Sequence, residues 1–204
     1  TLAQQDFSGW LVELLAKRWF MTREQIEKQL GLSRGGRLSV LLEDLSLAGF
    51  IETYHPLDRS EAGRLLRYRL VDTYSRFYLR FIRPALKQIR LARQGLALSQ
   101  ALPARAWDTF KGDAFELFCY QHRELIARKL GFEGIRYQAG PYFRRSDQRT
   151  GFQIDLLFDR ADRVYSLCEM KFHDQGVGLG ILTEIEEKIK RMDNPRNRTI
   201  EKVL

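Results

Sequence analysis

Two carboxylates and an amine are spaced so that they could carry out metal-dependent chemistry. Asp155 lies in the apolar run Ile154-Asp155-Leu156-Leu157, and Glu169 lies fourteen residues later, between Cys168 and Met170 and two positions before Lys171. An unpaired carboxylate in such surroundings costs on the order of several kcal/mol unless something compensates it. Carboxylates on adjacent strands can compensate one another by sharing a divalent cation. Asp155 and Glu169 are candidates for such a pair.

Two alternatives stay open for these residues. Glu169 and Lys171 share one face of a strand, because strand side chains repeat every two residues, so they could form an ion pair in a scaffold that only binds. A structural zinc ion is the other alternative, although the Cys-x₄-His spacing suits no common zinc module. Its four ligands would be Cys119, His122, Cys168 and His173.

The elements that must position these residues follow an αβββαβ order. Residues 107–130 predict one long amphipathic helix that ends at Gly131. Strands are expected at 135–139, 151–158 and 164–171, the last two joined by a hairpin turn at 159–163. A helix near 182–192 and a strand from Thr199 complete the order.

Two glycine-rich segments are candidate nucleotide-binding loops, and neither matches the motif of such a loop. The third glycine of residues 176–180 falls too early for a dinucleotide loop, so we expect a mobile loop over the site. Residues 31–36 lack the Lys-[Ser/Thr] end of a phosphate loop. Nucleotide hydrolysis is therefore not expected in this chain.

The first 72 residues predict three helices and a hairpin, the order of a winged helix. The helices cover residues 10–20, 22–30 and about 35–49, and the strands lie near 50–54 and 65–70. In such domains the third helix enters the major groove and the hairpin contacts the backbone. Winged helices also dock proteins, and Glu43 and Asp44 on the third helix fit that alternative. The candidate DNA contacts are Ser33, Arg34, Arg37, Ser39, Arg64, Arg67 and Arg69.

Positive charge is concentrated in one stretch of the chain. The net charge is +8, and residues 64–93 carry nine cations against the single acid Asp72, so this stretch accounts for the whole excess. Nucleic acid is therefore the first partner to consider, with an acidic protein as the alternative. Pro84 should bend or break the helix predicted from residue 73 to about 98, and Phe77 and Phe81 are expected in a core. The basic stripe of that helix comprises Arg76, Arg80, Arg83, Lys87 and Arg90.

Composition places the chain among globular proteins. It has 204 residues, 44% of them hydrophobic, and two cysteines, which is too few for a disulfide framework. No apolar run approaches the length of a membrane span, so we expect a soluble, cytoplasmic protein without a membrane partner. The chain begins at Thr1 without methionine and stops at Leu204 inside a predicted strand. We expect it to be cut from a larger protein.

The triad Asp155, Glu169-Met170-Lys171 and its element order resemble the PD-(D/E)xK nuclease superfamily. The resemblance implies that Asp155 and Glu169 hold Mg²⁺ or Mn²⁺, while Lys171 orients the attacking water and offsets charge in the transition state. Glu116, in Gly112-Asp113-Ala114-Phe115-Glu116, matches an acidic residue that many members contribute to the metal from the first helix. Lys188 would be an auxiliary phosphate contact.

More narrowly, the chain resembles the C-terminal region, a domain of unknown function, of a family of archaeal and bacterial AAA-type ATPases. The motifs that carry this resemblance are residues 72–81 and 152–171. It implies a winged-helix domain at 1–72, a basic aromatic helical linker at 73–102 and a nuclease-like domain at 103–204. The implied function is metal-dependent DNA hydrolysis, with a catalytically inactive DNA- or protein-docking module as the alternative. The ATPase domain of the same polypeptide is the implied partner, and an oligomer stays open.

Overall fold

The fold is given by a computed structural model, which describes residues 2–32, 35–57, 66–91, 102–144, 151–172, 176 and 178–204, with side chains from residue 7 onward. The chain divides into two compact units, Thr1–Tyr54 with Leu66–Phe110, and His55–Leu65 with Lys111–Leu204. Helices and two separate sheets make a mixed α+β structure, which confirms the predicted class at that level. None of the helices in the described ranges is long and apolar enough to cross a membrane.

The first unit begins with three helices and a small antiparallel sheet of strand order β1-β3-β2. The second helix starts at a capping box, in which Thr22 accepts a hydrogen bond from the Gln25 N–H and the Gln25 side chain accepts one from the Thr22 N–H. It ends at Gly31, whose φ of 63° lies in the left-handed region that glycine adopts without strain. The elements are α1 Leu2–Lys17, β1 Met21–Thr22, α2 Arg23–Leu30, α3 Gly36–Leu47, β2 Ile51–Tyr54 and β3 Arg67–Leu70.

A single apolar core joins these elements. Leu11 and Leu15 from α1 pack with Ile26 from α2, Leu38 from α3 and Leu70 from β3, and all five are at most 2% exposed. Burial of side chains of this size contributes roughly 1.5–3 kcal/mol each before the entropy of ordering is subtracted. The core therefore fixes how the helices stand on the sheet.

A helical segment follows and passes through Pro84. It consists of α4 Thr73–Phe77, a π-helical turn Tyr78–Ile82 and α5 Arg83–Leu91. The backbone stays helical through Pro84, but the α-helical pattern is interrupted just before it by the π-helical turn, in which the Arg83 N–H donates a hydrogen bond to the Tyr78 carbonyl. Phe77 and Phe81 lie 5.9 and 5.4 Å from the ring of Phe110, which is core packing as expected.

The second unit contains a four-stranded sheet of order β4-β5-β6-β7, in which β7 runs parallel to β6 and the other neighbours are antiparallel. The expected long helix is two helices, because the backbone of His122, at φ −99° and ψ 23°, leaves the helical region between them. The elements are α6 Ala104–Gln121, α7 Arg123–Lys129, β4 Tyr137–Arg144, β5 Phe152–Arg160, β6 Val164–Cys168, α8 Gly180–Arg191 and β7 Thr199–Val203.

Helices cover both faces of this sheet. On one face Leu156, Phe158 and Cys168 pack with Ala127 of α7 and with Phe132. On the other face the sheet contacts α8 through side chains that include Ile154, Leu157, Leu167 and Ile185. A polar group at the end of β5 or β6 is therefore flanked by helices on two sides.

Candidate functional site

A β-bulge places the first acid of the site. The β4–β5 register pairs Gly140 with Leu157 and Tyr142 with Ile154, so two residues of β5, Asp155 and Leu156, stand opposite Pro141 alone. A bulge leaves an extra residue out of the ladder and redirects its side chain. Proline suits the opposite position because it has no N–H to donate to the ladder. A proline within a strand pattern is a signal that sequence reasoning could have used to find this bulge.

The carboxylate of Asp155 ties β5 to the residues that follow β6. Its Oδ2 accepts a hydrogen bond from the Met170 N–H at 2.9 Å, and its Oδ1 accepts one from Gln153 Nε2 at 3.4 Å. The predicted strand 164–171 is therefore wrong at its end, since β6 stops at Cys168. A side chain replaces the backbone acceptor that would have continued the ladder. As a result, Glu169 follows the last strand residue and lies beside Asp155.

Glu169 is buried and only partly compensated. It is 2% exposed, and its Oε2 lies 2.8 Å from Lys188 Nζ and 3.8 Å from Lys171 Nζ. Its Oε1 has no hydrogen-bond partner within the described parts of the chain. Burial and the negative charge of Asp155 raise the pKa of Glu169 to about 7, against the opposing effect of the two lysines. The site therefore retains negative charge that the protein does not satisfy.

Glu116 of α6 is the third acid of the site. Burial, followed by the negative charges of Asp155 and Asp113, raises its pKa to about 8, and Glu169 contributes in the same direction. The fold thus brings the three sequence-predicted acids Asp155, Glu169 and Glu116 into mutual electrostatic range. Among the described residues, no group of three or more His, Cys, Asp or Glu side chains is arranged so that it could hold a metal ion.

Lys188 of α8 is the nearest cation of the site. Burial lowers its pKa, but the ion pairs with Glu169 and Glu184 outweigh that effect and raise it overall. Lys188 therefore stays protonated at neutral pH and occupies one side of the Glu169 carboxylate. Lys171, expected to be the main cation, lies farther from Glu169, and its side chain is more exposed.

The carboxylates of Asp155 and Glu169 are oxygen donors of the type that hard divalent cations bind. Mg²⁺ is usually held by one or two carboxylates, with water and substrate phosphate completing its octahedron, so a closed protein cage is not required. Glu169 Oε1 has no hydrogen-bond partner among the described residues, and burial, followed by the charges of Asp155 and Asp113, raises the pKa of Glu116. A divalent cation would supply positive charge to these acids.

The cysteines favour packing over metal binding. Cys168 is buried, and burial, with Cys119 and Glu169 nearby, raises the pKa of its thiol to about 12. A thiol must lose its proton to bind zinc, so this environment opposes a zinc site. His122 packs on the Phe118 ring at 4.4 Å. The fourth ligand of that alternative, His173, lies outside the described residues.

The structure corrects the prediction that all the arginines of the basic stripe and the hairpin face a partner. Arg76 is 1% exposed and donates hydrogen bonds to the carbonyls of Arg18 and Trp19, which follow the end of α1 and have no helical donor. Arg69 is 2% exposed and pairs with Glu52. These two arginines stabilise the first unit and do not present their guanidinium groups to a partner.

The remaining candidate nucleic-acid contacts differ in exposure. Arg83 is exposed and pairs with Glu13. Arg67 is half-buried over the Phe20 ring at 4.1 Å, and Arg80 is half-buried beside Phe81. Ser33, Arg34 and Arg64 lie outside the described residues. Arg37, Lys87 and Arg90 are exposed.

Comparison of the chain with protein-family models, with curated proteins and with solved structures gives no match.

Proposed function

We propose that the chain is a DNA-binding, nuclease-like module that hydrolyses phosphodiester bonds with a divalent cation. The observation that carries the proposal is the buried Glu169 carboxylate, one oxygen of which has no hydrogen-bond partner among the described residues. It stands beside Asp155, with Lys171 two residues away in the chain. A protein keeps an uncompensated charge of this kind at a cost in stability, and such costs concentrate at functional sites.

Each residue of the site has a distinct role in this proposal. Asp155 and Glu169 would hold Mg²⁺, with Glu116 as the third acid. When bound, the ion supplies Lewis-acid activation of the phosphate and a water of lowered pKa. Lys171 would orient the attacking water through its ammonium group and would offset negative charge on the phosphate. Lys188 restrains the Glu169 side chain through its ion pair and provides a second positive charge.

The architecture of each unit supports the named folds that we propose. In the second unit a helical pair, three antiparallel strands, a helix and a strand parallel to β6 follow the order of the PD-(D/E)xK core. In the first unit, three helices and a small three-stranded sheet follow the order of a winged helix. Exposed Arg37, Lys87 and Arg90 supply the charge for phosphate contacts. Attachment to an AAA-type ATPase is part of the same proposal.

The second candidate function is a docking module without catalysis, and two observations favour it. Lys188 already pairs with Glu169 at 2.8 Å, so part of the negative charge is balanced without a metal. The exposed face of α3, which would read DNA in a winged helix, carries the apolar side chains of Val40 and Leu47 and the acids Glu43 and Asp44. Such a face suits a protein partner better than a phosphate backbone.

A cleavage assay on the full-length protein separates the two candidates. Single-stranded, duplex and branched DNA are incubated with Mg²⁺ or Mn²⁺, and wild type is compared with Glu169→Gln and Lys171→Met. Glu187→Gln is the matched control, because Glu187 is an exposed acid of α8 that pairs with Lys190 away from the site. The proposal expects metal-dependent cutting that falls at least about 100-fold in both site variants and is unchanged in the control. Equal cutting by wild type and both site variants would assign the chemistry elsewhere.

If no DNA is cut, a binding measurement decides what remains. Inert wild-type protein that still binds DNA supports the DNA-docking form of the second candidate. Inert protein without DNA affinity at low salt points to protein docking through the exposed face of α3.

A further inference from the structure

A cavity of about 910 Å³ opens in the second unit near the end of β5 that lies farther from Asp155. Its wall includes Asp159 and Arg160, four and five residues beyond Asp155 on the same strand. At about 3.3 Å per residue, Asp159 lies roughly 13 Å from Asp155. The cavity is therefore separate from the carboxylate site, and its volume is in the range that small-molecule sites have.

The charged side chains of the cavity leave a positive excess. Among the acids, Asp159 pairs with Arg198 at 2.8 Å, and Asp193 pairs with Arg144 at 2.8 Å. Arg136 and Arg196 also line the cavity, are exposed, and form no ion pair within the described residues. Two guanidinium groups at the rim are thus available to an anion.

Arg198 forms part of the cavity wall, and several contacts hold its side chain in place. The Arg198 side chain is only 10% exposed, and it is held by Asp159, by the Arg160 carbonyl at 2.5 Å and by the Tyr165 ring at 5.2 Å. Its Nε is buried without a hydrogen-bond partner in the described structure. Arg198 therefore fixes this wall of the cavity, and the charged groups left for a ligand are the exposed Arg136 and Arg196.

Aromatic rings complete the cavity. Tyr137, Tyr142 and Tyr165 all line it, and Tyr165 and Tyr142 are at most 3% exposed, so they are held firmly by the core. Of these, only the half-buried Tyr137 ring offers apolar surface to a base or a sugar, and inorganic phosphate alone would leave that surface uncovered. An arginine guanidinium group can donate two parallel hydrogen bonds to the oxygens of one phosphate.

We propose that this cavity binds a nucleoside phosphate, with the phosphate held by Arg136 and Arg196 and the nucleoside against Tyr137. The ligand is either a free mononucleotide or the phosphorylated end of a DNA strand, since both present the same chemistry. The inference goes beyond the proposed hydrolysis, because binding here does not require the carboxylates.

Calorimetric titration of the full-length protein in EDTA tests the proposal. The probes are adenosine monophosphate, adenosine, inorganic phosphate, and a six-nucleotide oligothymidylate with or without a 5′-phosphate. The variants are Arg136→Ala/Arg196→Ala, with Arg128→Ala as the matched control, since Arg128 is an exposed arginine of α7 away from the cavity. Glu169→Gln is measured in parallel to keep the result independent of the carboxylate site.

Saturable binding of the mononucleotide or of the phosphorylated oligonucleotide is the expected result. It should weaken about 100-fold in the double variant, roughly tenfold for each arginine, and stay within about twofold in Arg128→Ala and Glu169→Gln. Mononucleotide binding identifies a free nucleotide as the ligand, and binding of the phosphorylated oligonucleotide alone identifies a strand end.

Four results would overturn the proposal. These are no binding of any probe to wild type, equal affinity in the double variant, equal affinity for adenosine and its monophosphate, and equal affinity for inorganic phosphate and the monophosphate. Arg136→Lys/Arg196→Lys guards against a folding defect. It keeps both charges without the guanidinium fork, so its affinity should fall between those of wild type and the alanine pair.

Discussion

Replacing Glu116 by glutamine should stabilise the second unit, and increasingly so as the pH rises. The pKa of Glu116 is raised from 4.5 to about 8 by burial and by the charges of Asp155, Asp113 and Glu169. Above pH 8 the folded protein must keep a third negative charge in a partly buried acidic site. Glutamine has the same shape without that charge, so the variant avoids the cost.

The magnitude follows from the two pKa values. The difference of 3.5 between 8 and 4.5 corresponds to about 5 kcal/mol at 1.36 kcal/mol per pKa unit. The unfolded chain releases the proton near pH 4.5, whereas the folded chain retains it until about pH 8, so the folded state binds more protons in between. As the pH rises through that window, the free energy of unfolding of wild type therefore falls relative to that of the variant. The fall is about 4 kcal/mol between pH 5 and pH 9.

Urea denaturation in EDTA at about pH 5, 7 and 9 measures this effect. Far-UV circular dichroism follows both units, while tryptophan fluorescence follows the first, because Trp10, Trp19 and Trp107 all belong to it. Glu124→Gln is the control, an exposed glutamate of α7. A difference between wild type and Glu116→Gln that stays constant from pH 5 to pH 9 would refute the raised pKa of Glu116.

Four further results are expected. Thr22→Ala should lower the free energy of unfolding of the first unit by about 1 kcal/mol, seen in tryptophan fluorescence, because the N-cap of α2 is lost; an unchanged midpoint would contradict the capping role. Lys188→Met should destabilise the second unit by about 3 kcal/mol at pH 8 and by less at pH 5, where Glu169, with its pKa of about 7, is protonated; circular dichroism showing equal losses at both pH values would contradict this. Millimolar Mg²⁺ should raise the thermal midpoint of wild type at pH 8 but not that of Glu169→Gln, and a rise in both would place the ion elsewhere. Lys87→Ala/Arg90→Ala should reduce the slope of log affinity for DNA against log salt by about 2 in fluorescence anisotropy, and an unchanged slope would remove α5 from the interface.

Most of the strands and helices could be predicted from the sequence because hydrophobic periodicity is a local property, but the short strand β1, Met21–Thr22, was not predicted. The strand predicted at 151–158 is observed at Phe152–Arg160, and the capped helix after Thr22 is observed at Arg23–Leu30. The predicted helix 107–130 failed at His122, where the backbone departs from helical angles without a proline or glycine to announce it. Apolar spacing alone does not show such a break.

The sequence did not predict which arginine side chains are buried and which are exposed. Arg76 and Arg83 both belong to the stripe predicted on one face of the helix. Arg76 is nevertheless buried at the end of α1, whereas Arg83 is exposed. The reason is that the carbonyls of Arg18 and Trp19, 58 and 57 residues earlier in the chain, need donors after α1 ends. That demand exists only once the helices have packed.

For the candidate site, the sequence by itself determined which residues are available and that their surroundings are apolar, since Asp155 and Glu169 each interrupt an apolar run. Only the tertiary structure decided the rest. The bulge opposite Pro141 accompanies the turn of Asp155 toward Met170, and α8 brings Lys188 to within 2.8 Å of Glu169. Strand periodicity acts over two residues, whereas pKa values and ion pairs depend on distances between groups far apart in the chain, and those distances are set by packing.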